Sequence, residues 1–187
     1  MNYNSSLKPS SIKSSCRQYK IYLQNENLVY ESLKTDVNSI VTDSSSSGEA
    51  IKTFKDKVLN YSAIIATLIE ANNLDIMEAD SFIELVGDEV LDGMTIIREK
   101  RSAKGDYDRY RGEASSCYEK AYKATSVEMA NHWKSEASHY DGLASSAYQT
   151  YDFYCKKEEK YDQINAASAL LFQKSPNLRT AANNLMD

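Results

Sequence analysis

Apolar and small residues recur at alternating spacings of three and four along much of this chain, which constrains it to long helices. The pattern is clearest in the second half, where the stripe comprises Ala130, Trp133, Ala137, Tyr140, Ala144, Ala147, Tyr151, Tyr154 and, after a polar step at Glu158, Tyr161. Residues at this spacing share one face of an α-helix, and such faces pack side by side. At a rise of ~1.5 Å per residue, this stripe runs roughly 47 Å. Long paired helices more often present a surface to a partner than enclose a substrate.

Helix breakers are rare and lie where helices can begin. The 187 residues include only 6 Gly and 2 Pro, and Pro9 and Pro176 lie close to the two ends. Tyr is abundant, at 14 residues against 4 Phe and 1 Trp. Its ring is apolar and its hydroxyl tolerates water, so it suits a half-buried seam. The net charge of −5, without a basic run, argues against nucleic acid or an anionic membrane as the partner.

No segment has the character of a secretory signal or a membrane span. The first thirty residues lack a continuous apolar core, and no stretch approaches the ~20 apolar residues of a span. Cys16, Cys117 and Cys155 are odd in number and have no C-x-x-C spacing, so neither a disulfide framework nor a zinc knuckle is indicated. We therefore expect a protein of the reducing cytoplasm, without direct membrane insertion, that uses no conventional signal peptide if it leaves the cell.

Two stripes joined by a polar turn predict an antiparallel helical hairpin over about residues 10–73. A disordered lead is expected to end near Lys8, and a capping box at residues 46–49 is expected to open the second helix. The first stripe comprises Ile12, Cys16, Tyr19, Leu23, Glu26, Tyr30, Leu33, Val37 and Ile40, and the second Ile51, Phe54, Val58, Tyr61, Ile65 and Leu68.

The remaining sequence predicts a connector, a second long hairpin and a short last helix. Residues 74–93 contain a capping-box pattern at 81–84 and two glycines, which favours a short helix or a broken turn. The second hairpin is predicted over about residues 94–174, with a third helix from about Met94 to Lys123 and a capping box at 125–128 opening the fourth. A final helix is predicted over residues 175–187. The fold class is all-α, with two antiparallel hairpins in an elongated bundle; a compact four-helix bundle and an offset rod both remain open.

One constellation has metal-ligand spacing, and it comprises Glu128, His132, Glu136 and His139. A Glu-x-x-His motif such as that at 136–139 is found in di-iron four-helix bundles, which need it on two helices. Both histidines of this chain lie on one helix, beside a seam that Trp133 and Tyr140 occupy. A solvated face is therefore the favoured interpretation. We predict no metal, no cofactor and no catalytic residue, and we interpret each Cys as a small packing residue.

Three stretches carry a family resemblance. The first is Ser-Gly-Glu-Ala-Ile-Lys-Thr-Phe at residues 47–54, the second is residues 83–97 with Val-Gly-Asp-Glu-Val-Leu-Asp-Gly at 86–93, and the third is residues 161–172 followed by Leu178 and Leu185. They resemble the turn and second-helix start, the acidic connector and the end of an LXG domain, the N-terminal module of type VII secretion toxins in Gram-positive bacteria. The chain departs from the family in having Ser46 where Leu is expected, while Leu91-Asp92-Gly93 has the letters at a later position.

The resemblance implies a secretion-targeting function. LXG domains are not themselves toxic; they resemble enlarged WXG-type hairpins and are thought to bind small α-helical partner proteins encoded beside them. The membrane-embedded type VII apparatus then exports the attached toxin, which kills competing bacteria. For this chain, the resemblance implies WXG-like helical partners and the type VII apparatus as partners, a cytoplasmic location before export, and secretion afterwards. A toxin domain beginning near Asp187 and a standalone module both remain open.

We predict the partner surface on the first hairpin, because its apolar face is the widest. Nine residues are predicted there as mixed core and interface positions: Tyr19, Leu23, Tyr30, Leu33, Phe54, Val58, Tyr61, Ile65 and Leu68. One alternative is a self-assembling structural coiled-coil protein, because heptads specify packing but not which chain they pack against. Another is a metal-binding or ferritin-like enzyme based on the 136–139 motif.

Overall fold

The computed structural model describes Tyr3 and residues 5–185, which form an almost entirely helical fold. The elements are β1 (Ser6–Leu7), α1 (Pro9–Thr42), α2 (Glu49–Val86), β2 (Leu91–Asp92), α3 (Gly93–Lys123), α4 (Val127–Leu170) and α5 (Ser175–Asn184). The predicted all-α class is confirmed, with α1/α2 and α3/α4 as helical hairpins. Within the described range, no helix has an apolar stretch long enough to cross a bilayer. Met186 and Asp187, the end of the predicted last helix, lie outside the described residues.

Helix α2 is a continuous helix of 38 residues that extends through most of the predicted connector. The prediction of a broken segment over 74–93 is therefore wrong for residues 74–86. Ser81 does not cap a new helix, because its hydroxyl donates to the carbonyl oxygen of Met77 one turn earlier, at 3.0 Å. The residues buried in this stretch share one face: Asp75, Ala79, Phe82 and Val86. That buried seam sustains the helix until Gly87, where a φ of 63° ends it.

The helix starts were predicted well in position and less well in capping chemistry. Helix α3 begins at Gly93, and the side chain of Asp92 caps it by accepting a hydrogen bond from the Thr95 N–H at 2.7 Å. At α4 the hydroxyl oxygen of Ser126 accepts from the Met129 N–H at 3.2 Å. The box predicted at residues 46–49 is not formed, because Gly48 precedes α2 with a φ of 122° and no side chain caps the helix.

The predicted single domain over residues 1–187 contains two compact units. In the part of the chain that the structure describes, unit 1 comprises Tyr3, residues 5–8 and residues 90–163, and unit 2 comprises residues 9–89 and 164–185. Helix α4 therefore contributes residues to both units. The core of unit 1 combines small residues of α3 and α4 with one large ring: Ala103, Ala114, Cys117, Ala121, Ala137, Ala144 and Tyr161 are buried.

In unit 1, the N-terminal segment pairs with the start of α3 and is not the disordered lead that we predicted. Strand β1 pairs antiparallel with β2, and the Tyr3 ring stacks on Tyr161 with centroids 5.4 Å apart. The Tyr3 hydroxyl donates to Asp162 at 3.1 Å. Burial, together with this carboxylate, raises the pKa of Tyr3 to about 12. Met1, Asn2 and Asn4, the rest of the predicted lead, lie outside the described residues.

Candidate interaction surface

The α1–α2 hairpin of unit 2 changes character half-way along its length. All buried residues of the two helices lie in what we call the base, residues 9–23 and 64–86: Pro9, Cys16, Leu23, Ile64, Ile65, Ala71, Asn72, Asp75, Ala79, Phe82 and Val86. In the outer half, residues 24–63, no residue is buried. The outer half is therefore a two-helix hairpin whose apolar side chains remain largely in water.

The outer half exposes many apolar side chains along both of its helices. More than two-fifths of the maximal area of each is accessible in Leu28, Val29, Leu33, Ile40, Phe54, Leu59 and Tyr61. Single exposed apolar residues are ordinary, but contiguous groups of them mark sites of interaction in soluble proteins. This surface is the strongest candidate for a functional site in unit 2.

A buried polar cluster fixes α5 against the base. Asn72 and Asp75 are almost completely buried. The Arg179 guanidinium of α5 donates to Asn72 Oδ1 at 2.7 Å and to Asp75 Oδ2 at 3.2 Å. From α1, the Tyr19 hydroxyl donates to Asp75 Oδ2 at 3.3 Å, while Asn72 Nδ2 donates to Glu26 at 2.9 Å. A buried carboxylate loses its hydration and needs hydrogen-bond donors from the protein in its place. These contacts supply such donors and thereby connect α1, α2 and α5 in one arrangement.

The cluster and the turn before α5 both suppress the ionisation of Tyr19. The ring of Phe172 meets Tyr19 edge-on, with centroids 4.8 Å apart. The backbone N–H of Phe172 donates to Glu78 at 2.7 Å, which holds the turn against α2. Burial raises the pKa of Tyr19, and the neighbouring Asp75 raises it further. Tyr19 therefore stays a neutral hydrogen-bond donor at physiological pH.

The opposite side of the hairpin carries polar pairs at a spacing of about seven residues, along the base and just beyond it. These pairs are Lys13 with Asp88 at 2.7 Å, Lys20 with Asp80 at 2.5 Å, and Asn27 with Asn73 at 3.0 Å. Seven residues forward along α1 correspond to seven or eight residues back from Asp88, just after α2, through Asp80 to Asn73, which establishes an antiparallel register. The hairpin thus has two different sides, the one that α5 covers in the base and the one that these pairs line.

The nine residues predicted as the partner surface divide into three groups. Leu23 and Ile65 are buried; Tyr19, Tyr30, Val58 and Leu68 are half-buried; Leu33, Phe54 and Tyr61 are exposed. Leu23 and Ile65 therefore belong to the hydrophobic core, as part of the mixed set that we predicted. Sequence reasoning missed Asn72, Asp75 and Arg179, although the first two continue the stripe that passes through Phe54, Tyr61 and Leu68.

The residue groups that could carry metal or thiol chemistry are not brought together into a site in the described part of the chain. Glu128, His132 and His139 are exposed and Glu136 is half-buried. Across Tyr3 and residues 5–185, no group of three His, Cys, Asp or Glu side chains could hold a metal ion. Burial raises the pKa of the Cys16 thiol, which lowers its reactive thiolate fraction.

Comparison of the chain with protein-family models, curated proteins and solved structures gives no match. The functional interpretation therefore depends on the residues and the geometry described above, and above all on the open outer half of the α1–α2 hairpin.

Proposed function

We propose that the chain is a non-catalytic targeting and adaptor module of the LXG kind, which presents an antibacterial toxin to a type VII secretion apparatus. In this proposal, small α-helical WXG-like proteins bind the α1–α2 hairpin. The protein is cytoplasmic before export and secreted afterwards without a conventional signal peptide. The resemblance at residues 47–54, 83–97 and 161–172 suggests the family.

The observation that carries the proposal is the absence of any buried residue between positions 24 and 63. A two-helix hairpin has too few neighbours to remove its apolar face from water, whereas a four-helix arrangement encloses such faces in a common core. A small helical hairpin packed against the outer half supplies the two missing helices. With 34 residues in α1 and 38 in α2, the two helices are long enough for such a partner to pack along them.

Co-expression tests this proposal directly. The full chain is produced with each small helical-hairpin protein encoded beside it, purified through a tag on the chain alone, and analysed by size-exclusion chromatography with light scattering. We expect a stable complex with at least one of these proteins. If all components are helical by circular dichroism and none forms a complex, the proposed function is wrong.

The second candidate function is self-assembly into a structural coiled coil, which the same exposed apolar residues favour. The mass of the chain alone discriminates between the two. Under the adaptor proposal we expect a monomer of 21.1 kDa at micromolar concentration. A stable homo-oligomer without any partner supports the self-assembly candidate.

A further inference from the structure

The side of the hairpin that α5 covers can be followed residue by residue into the outer half. In the base, Tyr19 of α1 lies opposite Asp75 of α2, and the two are hydrogen-bonded at 3.3 Å. In an antiparallel pair with heptad spacing, seven residues forward on one helix correspond to seven residues back on the other. From Tyr19 and Asp75, this register gives three further layers: Glu26 with Leu68, Leu33 with Tyr61, and Ile40 with Phe54.

Of these four α5-side layers, the two nearest α5 are covered or half-buried and the two nearest the hairpin turn are exposed. The first is covered, since Arg179 binds Asp75 and Phe172 packs on Tyr19. Both members of the second layer are half-buried. The exposed fractions in the two outer layers are Leu33 45%, Tyr61 53%, Ile40 43% and Phe54 54%. We call the α5 side of the hairpin, from the Tyr19–Asp75 layer to the Ile40–Phe54 layer, the track. Helix α5 covers its first layer, and its two outer layers are apolar and exposed.

The opposite side of the hairpin does not continue in this way. Its heptad positions on α1 are Lys13, Lys20, Asn27 and Lys34, whereas the α5-side positions are Tyr19, Glu26, Leu33 and Ile40. Within the outer half, a helix packed against these α1 positions would have to desolvate Asn27 and Lys34, which is costly without matched partners. The layers in which both helices contribute apolar residues therefore lie on the α5 side.

We propose that the partner helix docks on the α5 side of the outer half, in line with α5, and this rests on the proposed adaptor function. The occupant is an amphipathic helix of a separate small protein, which places apolar residues seven apart against the Leu33–Tyr61 and Ile40–Phe54 layers. To span the three outermost layers, its contact face must be about 21 Å long at ~1.5 Å per residue.

The charges beside the open layers indicate which partner residues fit. Helical periodicity of about 100° per residue places Asp36 on the α1 rim of this track and Lys57 on the α2 rim. Both residues are exposed. A complementary partner helix therefore carries basic residues along the edge that faces α1 and acidic residues along the edge that faces α2, which fixes its rotation on the track.

Two matched double variants of the full chain test which side is used. The test variant is Leu33→Arg with Tyr61→Arg, on the α5 side. The control is Leu28→Arg with Leu59→Arg, whose exposed fractions of 71% and 49% are comparable or larger. At about 100° per residue, these side chains lie roughly 140° and 160° around their helices from Leu33 and Tyr61, away from the α5 side. The probe is the small helical protein that co-purifies with the wild-type chain, and binding is measured by isothermal titration calorimetry.

We expect the test variant to weaken binding by at least about 30-fold and the control by less than about 5-fold, because buried anchors dominate interface energies. Circular dichroism checks that both variants keep wild-type helicity, and the milder pair Leu33→Ser and Tyr61→Ser replaces the test variant if arginine disturbs it. Loss of binding in the control, whether alone or equal to that in the test variant, overturns the assignment of the side but leaves the adaptor function intact.

Two other outcomes overturn the proposal differently. If neither variant weakens the complex, the outer half is not the docking surface. If the chain alone forms a dimer that only the test variant dissociates, the occupant of the track is a second copy of this chain and the adaptor function itself is contradicted.

Discussion

The base and the outer half of the α1–α2 hairpin use the same antiparallel heptad register, but only the base buries residues along it. In the base, the seam of α2 includes Asn72 and Asp75, which are almost completely buried among polar partners. In the outer half, the corresponding α5-side positions are Leu33, Tyr61 and their apolar neighbours, which are exposed. The hairpin is thus buried where its helices are joined by a polar hydrogen-bonded cluster, and it is exposed where its side chains are apolar. Hydrogen-bond geometry restricts where α5 can lie, whereas apolar packing is less directional.

The largest expected effect that tests this comparison is core truncation. Leu23 is 1% exposed, so we expect Leu23→Ala to lower the free energy of unfolding by about 2–5 kcal/mol. Leu33→Ala, about three turns further along the same helix, is expected to change this free energy by less than about 1 kcal/mol. Urea unfolding of both variants is the measurement. Equal costs would mean that the outer half is closed in solution, which contradicts the comparison.

The next effect concerns the polar cluster. Arg179→Ala removes two hydrogen bonds and leaves Asp75 buried with only Tyr19 as a donor. We expect a loss of about 1–3 kcal/mol and faster amide hydrogen exchange in α5. Arg98→Ala, at a side chain that is 73% exposed, is the matched control and is expected to have little effect. Unchanged protection of α5 would show that the cluster does not hold this helix.

A smaller effect is expected on the opposite side of the base. Lys20 pairs with Asp80 at 2.5 Å, with side chains 23% and 51% exposed. Because solvent screens such a pair, we expect Lys20→Ala to cost less than about 1 kcal/mol, and the cost to shrink further in high salt. A salt-independent loss as large as that of Leu23→Ala would place this side, too, in the closed core.

The smallest effect lies at the hairpin turn and depends on pH. The backbone N–H of Ser45 donates to Asp43 at 2.8 Å, which lowers the pKa of that carboxyl below 3.8. Since the pKa is lower in the folded state, the turn contact is present above the unfolded value and is lost as the pH falls through the folded one. We expect the Ser45 amide resonance to shift in that acidic range by NMR. Asp43→Asn is expected to abolish the shift; its persistence would assign the transition to another group.

The sequence predicted the long helices accurately where apolar periodicity was uninterrupted. The start of α3 was predicted within one residue and its end at Lys123 was correct. The extension of α2 was missed because Ser81 and Glu84 form a pattern that fits a helix start equally well, and only the buried seam around them decides against it. The pairing of β1 with β2 was missed because strands of two residues carry no periodic signal.

Half of the candidate surface could be read from the sequence, and the other half required tertiary contacts. Heptad spacing identifies Leu33, Phe54 and Tyr61 as stripe positions but does not reveal that Leu23 and Ile65 are covered. That distinction depends on tertiary packing, and the location of α5 depends on Arg179 meeting Asn72 and Asp75 across more than a hundred residues. The polar interruption of the stripe at 72 and 75 was the available signal.

The register of the hairpin also makes its length adjustable in whole steps. Because each seven residues of α1 face seven residues of α2, inserting one heptad into each helix within residues 24–63 adds one layer and returns every later residue to its original rotation. The base and the α5 contacts are left as they are. An insertion in only one helix, or of a length other than a whole heptad, would rotate the open layers away from the track. The outer half is thus a segment that can lengthen or shorten by whole heptads without redesign of the core that carries it.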